Sequence, residues 1–84
     1  MANFQWDRIF NVYIHRDLEA EGIPVGSIGL DVNGDSASVI VTVDTVDVDD
    51  AFDIIEDMLV DLGVILYDYH IEEGGFTSKI WLEV

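Results

Sequence analysis

Apolar and polar residues alternate on either side of Asn33-Gly34, which is the pattern of a β-hairpin. Asn-Gly favours a two-residue type I′ turn, because both central positions of that turn need a positive φ. With this pair as the loop, Leu30 faces Ala37, and the apolar side chains of both strands fall on one face, with Ile40 as the exception. A shift of one residue would exchange the two faces of a strand, so this sorting supports the register. The predicted strands cover residues 27–32 and 35–44.

A second alternating stretch, divided by Gly74-Gly75, predicts another hairpin of the same kind. With the two glycines as the loop, Tyr67 pairs with Leu82. The predicted strands are 64–73 and 76–84, and their apolar face holds Ile65, Tyr67, Tyr69, Ile71, Phe76, Ile80, Leu82 and Val84. The opposite face pairs Asp68 with Trp81, His70 with Lys79, and Glu72 with Thr77.

Between the hairpins, residues 48–62 repeat their apolar side chains with a helical period. Asp47 is the expected N-cap, and Gly63 is the expected glycine at the end of the helix. Asp49 and Asp50 fall in the first turn, where negative charge complements the helix dipole. The face predicted to be buried holds Ala51, Ile54, Ile55, Met58, Leu59 and Leu62, with Phe52 at its edge.

The first segment combines the apolar spacing of a helix with a composition that suits a strand. We favour a helix over residues 4–21, with Asn3 as a cap and Gly22 near its end. A strand over residues 8–16 is the alternative, because that stretch is rich in β-branched and aromatic residues. The helical stripe would consist of Trp6, Ile9, Phe10, Tyr13, Ile14 and Leu18.

The element order α-β-β-α-β-β predicts an α+β fold in a single domain over residues 1–84. Each hairpin has one apolar face and each helix has one apolar stripe. The simplest packing is a two-layer sandwich, in which both helices cover one face of a four-stranded, mostly antiparallel sheet. The other face of the sheet is left to water or to a partner.

The charge of the chain narrows the classes of partner. Its 84 residues include 18 acidic and 3 basic ones, which gives a formal net charge of −15, while 50% of the residues are hydrophobic. That apolar fraction is too high for a disordered acidic tail. Direct binding of nucleic acid or of an anionic membrane needs Lys and Arg, so both are poor partners.

Targeting and redox signals are absent from the sequence. The chain contains no cysteine, so it has neither a disulfide framework nor a thiolate metal site. Its first residues do not resemble a secretory leader, and no uncharged apolar stretch approaches 18 residues. We therefore expect a cytoplasmic protein, in the host cytoplasm if the gene belongs to a phage.

Motifs for catalysis or metal binding are weak. Residues 31–35 begin like an EF-hand loop, but Ser36 replaces its glycine and Thr42 replaces its bidentate glutamate. His15 and His70 lack the spacing of a zinc site. No serine lies in a nucleophile elbow, and no glycine-rich phosphate loop is present. We expect a protein that is not an enzyme and that uses no metal or cofactor.

The acidic residues are concentrated in one part of the chain. Residues 17–78 contain 16 acids and no Lys or Arg, and residues 44–61 contain eight of these acids. Neighbouring carboxylates on a helix repel each other, so stability alone does not explain the pattern. The candidate partner-binding residues are Asp44, Asp47, Asp49, Asp50, Asp53, Glu56, Asp57 and Asp61, and a secondary sheet-face interface holds Asp68, His70, Glu72 and Trp81.

Three explanations account for this pattern. The first is a nucleic-acid mimic that occupies the basic groove of a nuclease or another nucleic-acid-binding protein, as phage anti-defence and anti-CRISPR inhibitors of this character do. The second is adaptation to high salt, for which high negative surface charge is typical. The third is an assembly module that forms a homodimer or binds a basic partner through the open sheet face.

Overall fold

The computed structural model describes residues 6–45 and 47–84. Two helical segments and four strands follow one another in the predicted order. Helix α1 covers residues 6–20 and is α-helical in Trp6–Arg8, π-helical in Ile9–Tyr13 and α-helical again in Ile14–Ala20. The other elements are β1 (Val25–Asn33), β2 (Ser36–Val43), α2 (Val48–Asp61), β3 (Asp68–Glu72) and β4 (Ser78–Glu83). The predicted cap Asn3 and residues 4–5 of the predicted first helix lie outside the described residues.

The four strands form one open antiparallel sheet in the order β1-β2-β4-β3. Along β2 and β4, buried side chains alternate with more exposed ones, so only one face of the sheet is covered. Helical and sheet residues meet in one core, whose members include Phe10, Ile14, Leu18, Val39, Val41, Ile55, Leu59, Ile80 and Leu82. The predicted α+β sandwich, with two helices on one face of a four-stranded sheet, is confirmed.

The first segment is helical, so the strand considered for residues 8–16 is wrong. Apart from Ile9, its buried side chains recur every four residues, at Trp6, Phe10, Ile14 and Leu18. In a regular α-helix, four residues turn through about 400°, so such a row drifts by about 40° at each step. The π-helical part has a wider turn, which offsets this drift and keeps the row against the core.

Both helices end where the sequence predicts, each at a glycine with a positive φ. The φ angle is 77° at Gly22 and 73° at Gly63. In each case the following residue donates its backbone N–H to a carbonyl five residues earlier, which is the Schellman arrangement. These bonds join Ile23 to Leu18 at 2.9 Å and Val64 to Leu59 at 2.8 Å.

The first hairpin is paired two residues away from the predicted register. Leu30 lies opposite Val39 instead of Ala37, and the turn falls one residue later, at Gly34-Asp35. Only Gly34 of this turn has a positive φ, 65°, which fits a type II′ turn with glycine in the first central position. A shift of two residues keeps every side chain on its face, so the predicted apolar face is right although the register is wrong.

The second hairpin is also shifted by two residues. Tyr69, and not Tyr67, lies opposite Leu82. The loop covers residues 73–77, and its two glycines do not have the positive φ angles of a type I′ turn. The pairs across β3 and β4 are Asp68 with Glu83, His70 with Trp81, Ile71 with Ile80, and Glu72 with Lys79.

Part of the apolar face predicted for the second hairpin is exposed to water. Ile65 and Tyr67 precede β3 and are exposed, and Phe76 lies in the loop, where it is 91% exposed. Tyr69 is also exposed, although its ring centroid lies 4.5 Å from that of Phe52. The residues of that face that contact the core are Ile71, Ile80, Leu82 and Val84.

The β3–β4 loop requires a glycine at position 74. The Gly74 backbone N–H donates to the Ser78 hydroxyl at 3.3 Å, and that hydroxyl donates to the carbonyl of Thr45 at 3.4 Å. A methyl group at Gly74 would collide with the carbonyl oxygen of Thr77, whereas one at Gly75 would meet nothing within 4 Å. The close approach of Gly74 to Thr77 therefore lies within the loop. The Ser78 hydroxyl links the loop to the β2–α2 connection.

We expect Gly74→Ala to lower the free energy of unfolding by about 1 to 3 kcal/mol, because the loop must move to relieve the collision. The matched control, Gly75→Ala, should change it by less than about 0.5 kcal/mol. Urea denaturation followed by circular dichroism measures both values. Equal effects of the two substitutions would contradict the close approach.

Candidate protein-binding surfaces

Six acidic side chains project into solvent from one arc of α2, and we call this surface the acidic helix face. The opposite arc of the helix is buried in the core, so the direction of these carboxylates is fixed by packing. Val60, which is 70% exposed, is the apolar residue within the acidic arc. The acidic helix face consists of Asp49, Asp50, Asp53, Glu56, Asp57 and Asp61.

Asp44 and Asp47 extend this surface to the end of β2. Asp47 holds the predicted N-cap position, but its side chain makes no capping hydrogen bond. Its backbone N–H instead donates to the Thr45 hydroxyl oxygen at 3.0 Å. The Thr77 hydroxyl donates to Asp44 Oδ1 at 3.2 Å, which ties the connection to the β3–β4 loop. Both aspartates remain exposed beside the start of α2.

Helix α1 contributes acidic residues that the sequence prediction missed. Two shallow grooves, of about 500 and 310 Å³, lie next to each other between α1 and α2, and Glu21 and Ile54 line both of them. Glu21, which directly follows α1, lines both grooves, and Asp17 of α1 lines one of them. Across the grooves lie the α2 acids Asp50, Asp53, Asp57 and Asp61. One signal was present in the sequence, because Asp17 interrupts the apolar stripe of the first helix and Glu21 follows it four residues later.

The basic side chains do little to neutralise the acidic helix face. Arg16 Nε donates to Asp17 Oδ1 at 3.1 Å, and its guanidinium carbon lies 4.9 Å from the centre of the Tyr13 ring. His15 Nδ1 lies 3.7 Å from Glu19 Oε2. No ion pair found in the described parts of the chain involves an acid of α2. The carboxylates of this helix are therefore solvated charges without a basic neighbour bound to them.

The residues predicted for the sheet-face interface lie on the uncovered side of the sheet. His70 pairs with Trp81, and Trp81 pairs with Ile40 across the neighbouring strand. The next row across all four strands consists of Asp31, Ser38, Glu83 and Asp68, and Glu72 lies in a third row with Lys79, Thr42 and Ser27. This surface and the acidic helix face lie on opposite sides of the sandwich, so they are two separate candidate sites.

The described residues hold neither a metal-type cluster nor a membrane helix. Among residues 6–45 and 47–84, no group of three or more His, Cys, Asp or Glu residues could hold a metal ion. In the same part of the chain, no helix is both long enough and apolar enough to cross a bilayer. The candidate sites described above are the two exposed charged surfaces.

The fold and these surfaces define a small, open-faced α+β sandwich with strong negative charge on its helical layer. Comparisons with protein-family models, with curated proteins and with solved structures found no match. Function is therefore inferred from the charge, shape and exposure of the two surfaces.

The position of a charge along α2 gives a test of the surface electrostatics. We expect Asp61→Lys to raise the free energy of unfolding by about 0.5 to 1 kcal/mol, because Asp61 ends the helix, where negative charge opposes the dipole, and it repels Asp57. Asp50→Lys changes the net charge equally but removes a favourable charge from the first turn, so we expect no gain. Thermal unfolding at low salt compares the two variants. Equal stabilisation by both would mean that only the net charge matters.

Proposed function

We propose that this protein is an acidic, non-enzymatic binding protein that inhibits a nucleic-acid-binding protein or nuclease by occupying its basic groove. The observation that carries the proposal is the acidic helix face, whose six carboxylates are exposed and make no ion pair within the described residues. A basic groove built for phosphates would attract this surface through its charge.

The spacing of the charges on α2 supports mimicry of a nucleic-acid strand. From Asp49 to Asp61 the helix rises about 18 Å, at 1.5 Å per residue, and it carries six acids. This amounts to one negative charge for about every 3 Å along the axis. A single strand of duplex DNA carries one phosphate per about 3.4 Å, so the two charge densities are comparable.

The packing of α2 supports a preformed binding surface. The inner arc of this helix is buried against the sheet and α1, so the backbone that carries its acids needs no ordering when a partner binds. Val60 offers an exposed apolar contact among the carboxylates. The buried residues of the helix are Val48, Ala51, Phe52, Ile55, Met58 and Leu59.

The repulsion between neighbouring carboxylates on α2 also supports a functional role for them. Asp53 has like charges three or four residues away on both sides, including Asp50 and Asp57. Such pairs destabilise a helix by a few tenths of a kcal/mol each. Lysine at some of these positions would stabilise the fold, so a partner-binding role accounts for their absence. A phage anti-defence inhibitor, acting in the host cytoplasm, fits this character.

The proposal predicts that exchanging Asp53 and Asp57 for lysine strongly weakens binding. The immobilised protein is incubated with host lysate at low salt, and retained proteins are eluted with short duplex DNA, which competes for the same groove. We expect a basic nucleic-acid-binding protein in that eluate. Its purified form should bind the double variant at least about tenfold more weakly than the original chain, because charge pairs across an interface are lost.

The matched control is the pair Asp35→Lys and Glu72→Lys, which changes the net charge equally but away from the acidic helix face, at the β1–β2 turn and on the uncovered sheet face. We expect its affinity to stay within about threefold of the original value, since charges far from the contact are screened. An equal loss in both double variants would show that bulk charge, and not the acidic helix face, drives binding. If neither double variant loses affinity, the acidic helix face is not the binding site.

Salt adaptation makes a different prediction about stability. If the acids serve a partner, the chain should keep its circular dichroism spectrum and a cooperative unfolding transition in dilute buffer. A protein that depends on salt to screen its charges should loosen or unfold below about 1 M salt, where the screening length exceeds about 3 Å. Loss of the folded spectrum at low salt would therefore favour salt adaptation over the inhibitor.

A further inference from the structure

The uncovered face of the sheet contains a shallow groove of about 380 Å³ with an apolar floor. Its floor follows one row across the strands, from Gly29 through Ile40 to Trp81. Because Gly29 has no side chain, the groove is open beside Ile40, where a Cβ added at Gly29 would lie 3.9 Å from the Ile40 Cβ. Trp81 is 39% exposed at the side of the groove, so part of a large aromatic surface meets water.

Carboxylates form the next row beside this floor. Asp31 and Glu83 line the groove, and Asp68 pairs with Glu83 across the outer strand. The Ser38 hydroxyl donates to Glu83 Oε2 at 2.7 Å, which holds that carboxylate in place. Glu83 follows Trp81 on the same face of β4, about 7 Å along the strand. An aromatic surface and a fixed carboxylate therefore lie within reach of one planar cation.

The charges of this face favour arginine over a second copy of the chain or a lysine as its binding partner. A second copy of the chain would also carry a net charge of −15. Its carboxylates would face those of the first copy across the interface, and the two sets would repel each other. Lysine matches the negative charge, but its ammonium group neither stacks well on an aromatic ring nor binds a carboxylate in a bidentate manner. Arginine does both through its planar guanidinium group.

We propose that the uncovered sheet face is a second docking surface, which binds an arginine in an exposed basic segment of a partner protein. The guanidinium group stacks on Trp81 and donates hydrogen bonds to the Glu83 carboxylate, and Asp31 adds attraction from the other side of the groove. This inference goes beyond the proposed function, because it uses none of the residues of the acidic helix face.

The probe for this site is a capped Gly-Arg-Gly peptide, titrated in about 0.15 M salt, where distant charges are largely screened. Backbone and indole N–H shifts in two-dimensional NMR spectra report where it binds. We expect the changes to concentrate at Gly29, Ile40, Trp81 and Glu83. A peptide with citrulline in place of arginine has the same shape without the charge, and it should bind at least about threefold more weakly.

Three variants separate this site from general attraction to an acidic protein. Trp81→Leu and Glu83→Gln should each weaken binding of the arginine peptide about threefold or more. The control Glu72→Gln removes the same charge from a different row of the same face and should leave the affinity nearly unchanged. The spectrum of each variant shows whether its fold is intact.

The proposal is overturned if the peptide shifts only the resonances of α2, or if the citrulline peptide binds equally well. Equal losses with Glu72→Gln and Glu83→Gln would also overturn it. The double variant Asp53→Lys and Asp57→Lys should bind the arginine peptide as the original chain does. If that double variant fails to bind a basic groove, the result therefore concerns the proposed function and not the arginine site.

Discussion

The whole fold depends on burying one apolar face of a four-stranded sheet under two amphipathic helices. The chain has no cysteine for a disulfide, and its net charge of −15 opposes any compact state. Burial of the single core must outweigh both this repulsion and the entropy of an ordered chain. Each element therefore has one side committed to the core, and charged groups are confined to the other side.

This constraint produces two outer surfaces of different character. The outer arc of α2 is almost wholly acidic, and the neighbouring end of α1 adds Asp17 and Glu21 beside it. The uncovered sheet face mixes acids with Trp81, Ile40 and one lysine. Because the core lies between the two surfaces, a substitution on one need not disturb the other.

The sequence predicts which residues share a face better than it predicts which residues are neighbours. Alternation along a strand decides whether Leu30 points to the core, but Val39 and Ala37 satisfy it equally well as partners. The turns decide between them, and a turn also depends on contacts that a strand pattern does not contain. In the second hairpin, for example, the Ser78 hydroxyl at the end of the loop donates to the carbonyl of Thr45. The acids of α1 were missed for a similar reason, since their place beside α2 follows from helix packing and not from periodicity.

The two surfaces also differ in how far their attraction extends. Exposed carboxylates act over a screening length of about 8 Å at physiological salt, so the proposed attraction between the acidic helix face and a basic groove would begin before contact and would weaken as salt rises. In the proposed sheet site, stacking on Trp81 would act only at contact, and a bidentate bond to Glu83 within a desolvated groove would be screened much less. Salt would therefore weaken binding at the helical surface more than binding at the sheet surface. A partner that remained bound at high salt would point to the sheet surface as its site.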